Sequence, residues 1–229
     1  MKEFCKNWIG FLSILLIPVV STGYGLLNND GRPIHTLATP LDSHTPYLKI
    51  FIIPYIIWYA FILICLFYFY LKNKQTYYIS LTSLIIGELI CYTIYYFFQT
   101  TTPRPVIDGN DLLSTLIRMI YQNDEPYNCF PSIHVFTTSI MLVGILKSSF
   151  RNYINVLLIS INSILIILST IFIKQHVILD VVSGVGLACL TYPITEIIYK
   201  KWTEKQKSIF ATKYDQFKRV PEHVKSQVN

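Results

Sequence analysis

Six stretches of mostly apolar residues, each roughly long enough to cross a bilayer as a helix of about 20 residues, constrain this chain more than any other feature. They run from about Trp8 to Leu27, Ile50 to Leu71, Tyr77 to Thr100, Ile133 to Phe150, Tyr153 to Ile173 and Val177 to Tyr199. Backbone N–H and C=O groups within hydrocarbon must be paired inside their own segment, so each run is expected to be helical. The fold class is therefore all-α, a polytopic membrane protein with six transmembrane helices. Residues 1–199 would form the membrane domain and 200–229 a basic cytoplasmic tail.

Charged residues make up 14% of the chain, against about 25% in soluble domains, which argues against a disordered protein or an ordinary soluble domain. The net charge of +6 would suggest a polyanionic partner in a soluble protein, but the positive-inside rule accounts for it without nucleic acid. Fourteen of the 19 Lys and Arg residues fall at the N-terminus (Lys2, Lys6), in two connections (Lys72, Lys74; Lys147, Arg151) and in the tail. Both termini are thus expected in the cytoplasm, with the other connections facing outward, as in a plasma-membrane protein. The first run resembles a signal peptide near Ser21-Thr22-Gly23, but it is longer than a usual h-region and lacks an A-x-A site, so it is read as a span. Pro18 and Pro54 predict kinks in the first two spans. In the tail, Ile209, Phe210, Tyr214 and Phe217 stand at helical spacing among basic residues, a pattern that suits either an anionic lipid surface or a solvated tail that only enforces topology.

Polar residues at membrane depth tend to mark function, and here they collect at the outward helix ends. Arg104 follows the third span between Pro103 and Pro105. Ser132 and His134 open the fourth, while Lys174, His176 and Asp180 surround the start of the sixth. His176 and Asp180 are four residues apart and share a helix face, so the carboxylate can orient one imidazole nitrogen and leave the other free to attack phosphorus. His134 is the candidate for protonating the departing oxygen. Ser132 sits where a helix N-cap would favour a phosphoryl oxygen. Arg104 offers a planar donor fork, and Lys174 a second positive charge.

Taken together, Pro103-Arg-Pro105, Pro131-Ser-Ile-His134 and His176-Val-Ile-Leu-Asp180 resemble the three signature blocks of the type 2 phosphatidic acid phosphatase (PAP2) and haloperoxidase superfamily. Leu41-Asp-x-x-Thr-Pro46 and Pro54-Tyr-Ile-Ile-Trp-Tyr59 are similar to its branch of inositolphosphorylceramide-synthase-like membrane proteins. The resemblance implies a six-helix PAP2-type bundle with catalytic His176, His134 and Asp180, and with phosphate held by Arg104 and Ser132. Three departures stand out: Phe97 where the family has Lys, Ile133 where it has Gly, and Thr170 where it has Arg. Two phosphate-binding cations are thereby absent, and Lys174 could supply one.

The expected activity is a metal-independent phosphatase acting on a lipid phosphate or isoprenoid (di)phosphate through a phosphohistidine at the outer face. A phosphotransferase with an alcohol acceptor is the first alternative, and a catalytically silent scaffold the second. No cofactor is implied, since no carboxylate cluster suited to Mg²⁺ is legible. Oligomeric state is not legible either. Glu88, mid-span in the third run, reads either as a neutral acid hydrogen-bonded to one of the tyrosines or as a functional group, a buried polar link or a residue on the substrate path. Cys129, beside the second block, reads as a packing residue.

Overall fold

The computed structural model describes residues 10–219, with side chains to residue 212. Lys2, Cys5, Lys6 and Trp8 lie outside the described residues, as do the end of the tail and the side chains expected to form a stripe at Tyr214 and Phe217. In chain order the elements are α1 (Leu16–Leu27), β1 (Ile34–Thr36), α2 (Pro40–His44), α3 (Ile52–Lys72), α4 (Lys74–Phe97), β2 (Gln99–Thr101), α5 (Leu112–Asn123), α6 (Ile133–Lys147), α7 (Tyr153–Phe172) and α8 (Ile178–Arg219). The chain divides into two compact units, Met1–Tyr192 and Pro193–Asn229. The second continues α8 as a helix rich in Lys and Glu, with Lys200 paired to Glu196 at 2.7 Å.

Five helical segments are long and apolar enough to cross a membrane: Gly10–Leu27, Lys49–Lys72, Lys74–Phe97, Tyr153–Phe172 and Ile178–Thr212. The protein is thus a helical integral membrane protein. The remaining expected span, the fourth run, is α6, apolar but only 15 residues long, which at 1.5 Å per residue is about 22 Å. Its position explains how so short a helix is accommodated. Val135, Phe136, Ile140, Met141 and Ile145 are all fully buried, so protein surrounds this helix and its ends need not match the hydrocarbon boundaries. The outer helices instead expose apolar faces suited to lipid, such as Ile53, Ile56, Ile57, Leu63 and Ile64 on α3.

The two prolines act differently. Pro18 cannot donate to the carbonyl one turn upstream, and the backbone at Ser13–Leu15 tightens to a 3-10 turn there. Pro54 is the third residue of α3, immediately after the 3-10 turn Lys49–Phe51, so it falls in a first turn that tolerates a missing N–H.

The connections gather at one end of the first unit. β1 pairs in parallel with β2, His35 opposite Thr100. Leu48 N–H donates to Phe172 O at 3.0 Å, and Tyr121 Oη on α5 to Ile173 O at 2.6 Å. An ion pair of 2.8 Å joins Lys49 to Asp111. At the other end, Asn73 of the α3–α4 turn donates to Ser149 Oγ at 3.0 Å. The basic connections named from the sequence therefore lie at the end opposite the motif residues.

Candidate active site

Helix α7 ends with the backbone pattern that sets His176 in place. Gln175 N–H reaches Thr170 O at 2.9 Å and Lys174 N–H reaches Ile171 O at 3.0 Å, the paired bonds of a Schellman helix end. The left-handed residue such an end requires is Lys174, with φ +56°, where glycine is usual. Its side chain has a separate use. Lys174 Nζ donates to Asp42 O at 3.0 Å and Thr45 O at 2.6 Å, fastening α2 over the loop that carries His176.

Asp42 completes this clamp. Its Oδ1 accepts the N–H of Ile178, the first residue of α8, at 2.8 Å, and its Oδ2 accepts Thr39 N–H and Oγ1–H, each at 2.7 Å. A carboxylate 136 residues away in sequence thus caps the helix on which Asp180 stands. Partial burial would raise the Asp42 carboxyl's pKa, but the bonds from Thr39 and Ile178 hold it below the ordinary value. Asp180 Oδ2 takes the neighbouring amide, Val177 N–H, at 3.1 Å, and lies 3.3 Å from His176 Nδ1. Asp180 is 1% exposed, and its Oδ1 is buried with no partner among the described residues.

His134 enters from α6. Ser132 caps that helix, its Oγ accepting Val135 N–H at 3.3 Å, while Ser132 N–H donates to Asp180 O at 3.2 Å. The two motif helices meet closely at Gly184, where an added Cβ would lie 2.8 Å from Ser132 O. The His134 ring stacks on Tyr55 at 4.6 Å and faces Trp58 at 4.1 Å between centroids. Its centroid is 5.9 Å from that of His176.

Arg104 approaches from the β2–α5 connection. Its guanidinium donates to Tyr121 O at 3.3 Å, to Asp124 O at 2.6 Å and to Gln175 Oε1, and lies 4.5 Å from the Tyr121 ring centroid. Three of its five N–H groups are thus engaged, and Nε is buried with no partner among the described residues.

Arg104, His134 and His176 line one cavity of about 770 Å³. Asp180 stands behind His176, outside that lining. Ser132 and Lys174, expected to touch phosphate, are in the same cluster but not on the cavity wall: one caps α6 and the other belongs to the clamp. The family's two missing cations are not replaced at their own positions. Phe97 is 78% exposed on α4, and Thr170 is buried with its hydroxyl on Ile167 O at 2.8 Å.

The sequence reading missed Gln175, which orients Arg104, and gave no role to Tyr55 and Trp58. Their spacing on α3 was the available signal, since positions i and i+3 share a helix face. Cys129, His176 and Asp180 have donor atoms within 4.8 Å of one another, a grouping able to hold a metal ion. Burial pushes the Cys129 thiol up to about 12, however, and the protonated thiol donates to Pro126 O at 3.6 Å. A thiolate is what metals bind, so packing is the role its surroundings favour.

Comparison with known families gives a match over residues 32–194 to a family model described as the PAP2 superfamily. That stretch holds Asp42, Arg104, His134, His176 and Asp180. No curated protein and no solved structure matches the chain.

Proposed function

Because the chain belongs to the PAP2 superfamily, whose activity in general is phosphatase or phosphotransferase chemistry on lipid phosphates, we propose that it is a membrane phosphatase releasing phosphate from a lipid phosphate through a phosphohistidine. The observation that carries this reading is the convergence of Arg104, His134 and His176 on one cavity, with Asp180 behind His176.

With Nδ1–H directed at Asp180, His176 Nε2 keeps its lone pair for the phosphorus. As the N–P bond forms, the bond from phosphorus to the lipid oxygen breaks. His134 protonates that oxygen, and the lipid alcohol leaves. Water then attacks the phosphohistidine while His134 takes its proton. The P–N bond breaks, its electron pair returns to Nε2, and inorganic phosphate departs. Arg104 neutralises charge on the phosphoryl oxygens throughout, which is where most phosphoryl-transfer catalysis lies. No metal ion takes part in these steps. Ser132 contributes through the helix start that presents His134, and Lys174 through the loop that presents His176. A cradle with Arg104 as its principal cation suits a monoester better than a diphosphate. The charge asymmetry of the connections supports an outward-facing site at the plasma membrane, with both termini cytoplasmic.

The test is phosphate release by the detergent-purified protein from a panel of lipid and isoprenoid phosphates without added metal, beside His176→Ala. Release by wild type and a loss of at least about 10³-fold in the variant are expected. Phosphodiester formation on adding an alcohol, in place of free phosphate, would convert the reading to a phosphotransferase. Folded protein that does neither would be the scaffold.

A further inference from the structure

The phosphate chemistry accounts for one end of the cavity. Its deeper wall carries a carboxyl group that no step above uses. Glu88 lies in the apolar helix α4, is 5% exposed, and lines the same cavity as His134 and His176. A carboxyl group at membrane depth is costly and tends to be retained for function. Its side-chain hydrogen bond among the described residues is a long one, from Tyr92 Oη to Oε2 at 3.4 Å. A carboxyl group has room for several hydrogen bonds, so Glu88 has capacity to spare. Ser21 and Thr22 of α1 line the cavity as well, so the deep wall is a polar patch within an otherwise apolar chamber.

Helix geometry fixes how deep this patch lies. Glu88, Cys91, Tyr92 and Tyr95 follow i, i+3, i+4, i+7 spacing and share the inward face of α4. Tyr95 Oη donates to Pro131 O at 2.5 Å, which fixes the level of the Ser132–His134 helix start. Seven residues at 1.5 Å each set the Glu88 Cα about 10 Å further along α4 than that of Tyr95, and both side chains reach out from those levels. A molecule with its phosphate between the two histidines and its tail along the cavity would meet Glu88 below its headgroup. A purely hydrocarbon tail would displace water from the carboxyl without replacing the hydrogen bonds, which is unfavourable.

We infer that Glu88 and Tyr92 form a second subsite, one that selects lipid phosphates bearing a hydrogen-bonding group (an ester, amide or hydroxyl) on the backbone below the phosphate over isoprenyl phosphates, which carry none. The inference rests on the phosphate-site reading above and adds a specificity determinant to it. Glu88 touches the lipid backbone and takes no part in bond breaking.

The experiment compares wild type, Glu88→Gln and Glu88→Leu in detergent micelles, with dioleoyl phosphatidic acid and farnesyl phosphate as substrates. Wild type is expected to prefer phosphatidic acid. Glu88→Leu should lower kcat/KM for it by about tenfold or more, chiefly through KM, and leave farnesyl phosphate within about twofold. Glu88→Gln, which can still donate and accept, should recover most of the loss. An equal fall on both substrates would reduce Glu88 to a structural residue, and no fall on either would remove the subsite. If wild type hydrolyses neither lipid, the phosphatase reading fails separately. Equilibrium binding of the same two lipids then decides: selective weakening of phosphatidic acid by Glu88→Leu sustains the subsite, and equal or absent weakening overturns it.

Discussion

Lys174 occupies a position where glycine would be conformationally easier, and the two carbonyls its ammonium holds explain why a lysine stands there. This separates backbone strain from side-chain function by substitution. Lys174→Met keeps the left-handed strain and loses the clamp, whereas Lys174→Gly loses both. The glycine variant should be the more stable by about 1 kcal/mol, measured by thermal unfolding in detergent, while the two variants lose activity alike. Asp42 contributes from the other side of the clamp. Its folded pKa lies below the ordinary 3.8, so its stabilisation is present above that value and fades as pH falls through the folded one. Wild type should therefore exceed Asp42→Ala by about 1–2 kcal/mol at neutral pH, with the difference shrinking as pH falls below 3.8 in melting curves. His134→Gln should lower kcat by about 10²–10⁴-fold in phosphate-release assays. Arg104, His134, His176 and Asp180 were legible because each lies in a short motif of unusual polarity. Gln175 was not, since a glutamine next to a histidine has no pattern until Arg104 is brought 71 residues back to meet it.

Among the elements, the long apolar helices were readable because hydrocarbon imposes one solution on such runs. The third begins at Lys74 and stops at Phe97, where the following residues Gln99–Thr101 turn into a strand against β1. Neither that pairing nor α5 was visible beforehand. Strands of three residues carry no usable alternation, and α5 mixes apolar with polar residues in a segment read only as a connection, yet it buries Ile117 fully beside Ile52, Tyr55 and Ile173. Ile117→Ala should cost about 2–4 kcal/mol, read from thermal melting. The meeting of α6 and α8 is tighter still. Gly184→Ala would force Ser132 O away from α8 and strain the bond between Ser132 N–H and Asp180 O. Activity should fall more steeply than melting temperature, because both motif helices move relative to each other.

Across the chain as a whole, the charge pattern and the geometry make a joint prediction about sidedness. Val106 is 86% exposed in the connection after Arg104. In a background without other cysteines, Val106→Cys should react with a membrane-impermeant thiol reagent in intact cells, and Ser149→Cys should react only after permeabilisation. The reverse labelling would turn the site inward and remove the outer-face assignment. Apolar helices of spanning length are read readily from a sequence, because bilayer thickness acts on composition. The cavity is different, since its walls come from residues spread between α1 and α8 and its polar patches become neighbours only on folding. One of those walls has a further use. The indole of Trp58 faces the His134 ring at 4.1 Å, and a protonated imidazole quenches indole emission. With the other two tryptophans, Trp8 and Trp202, replaced by phenylalanine, the fluorescence of this protein becomes an optical record of the charge on His134, readable in the bilayer without any substrate turnover.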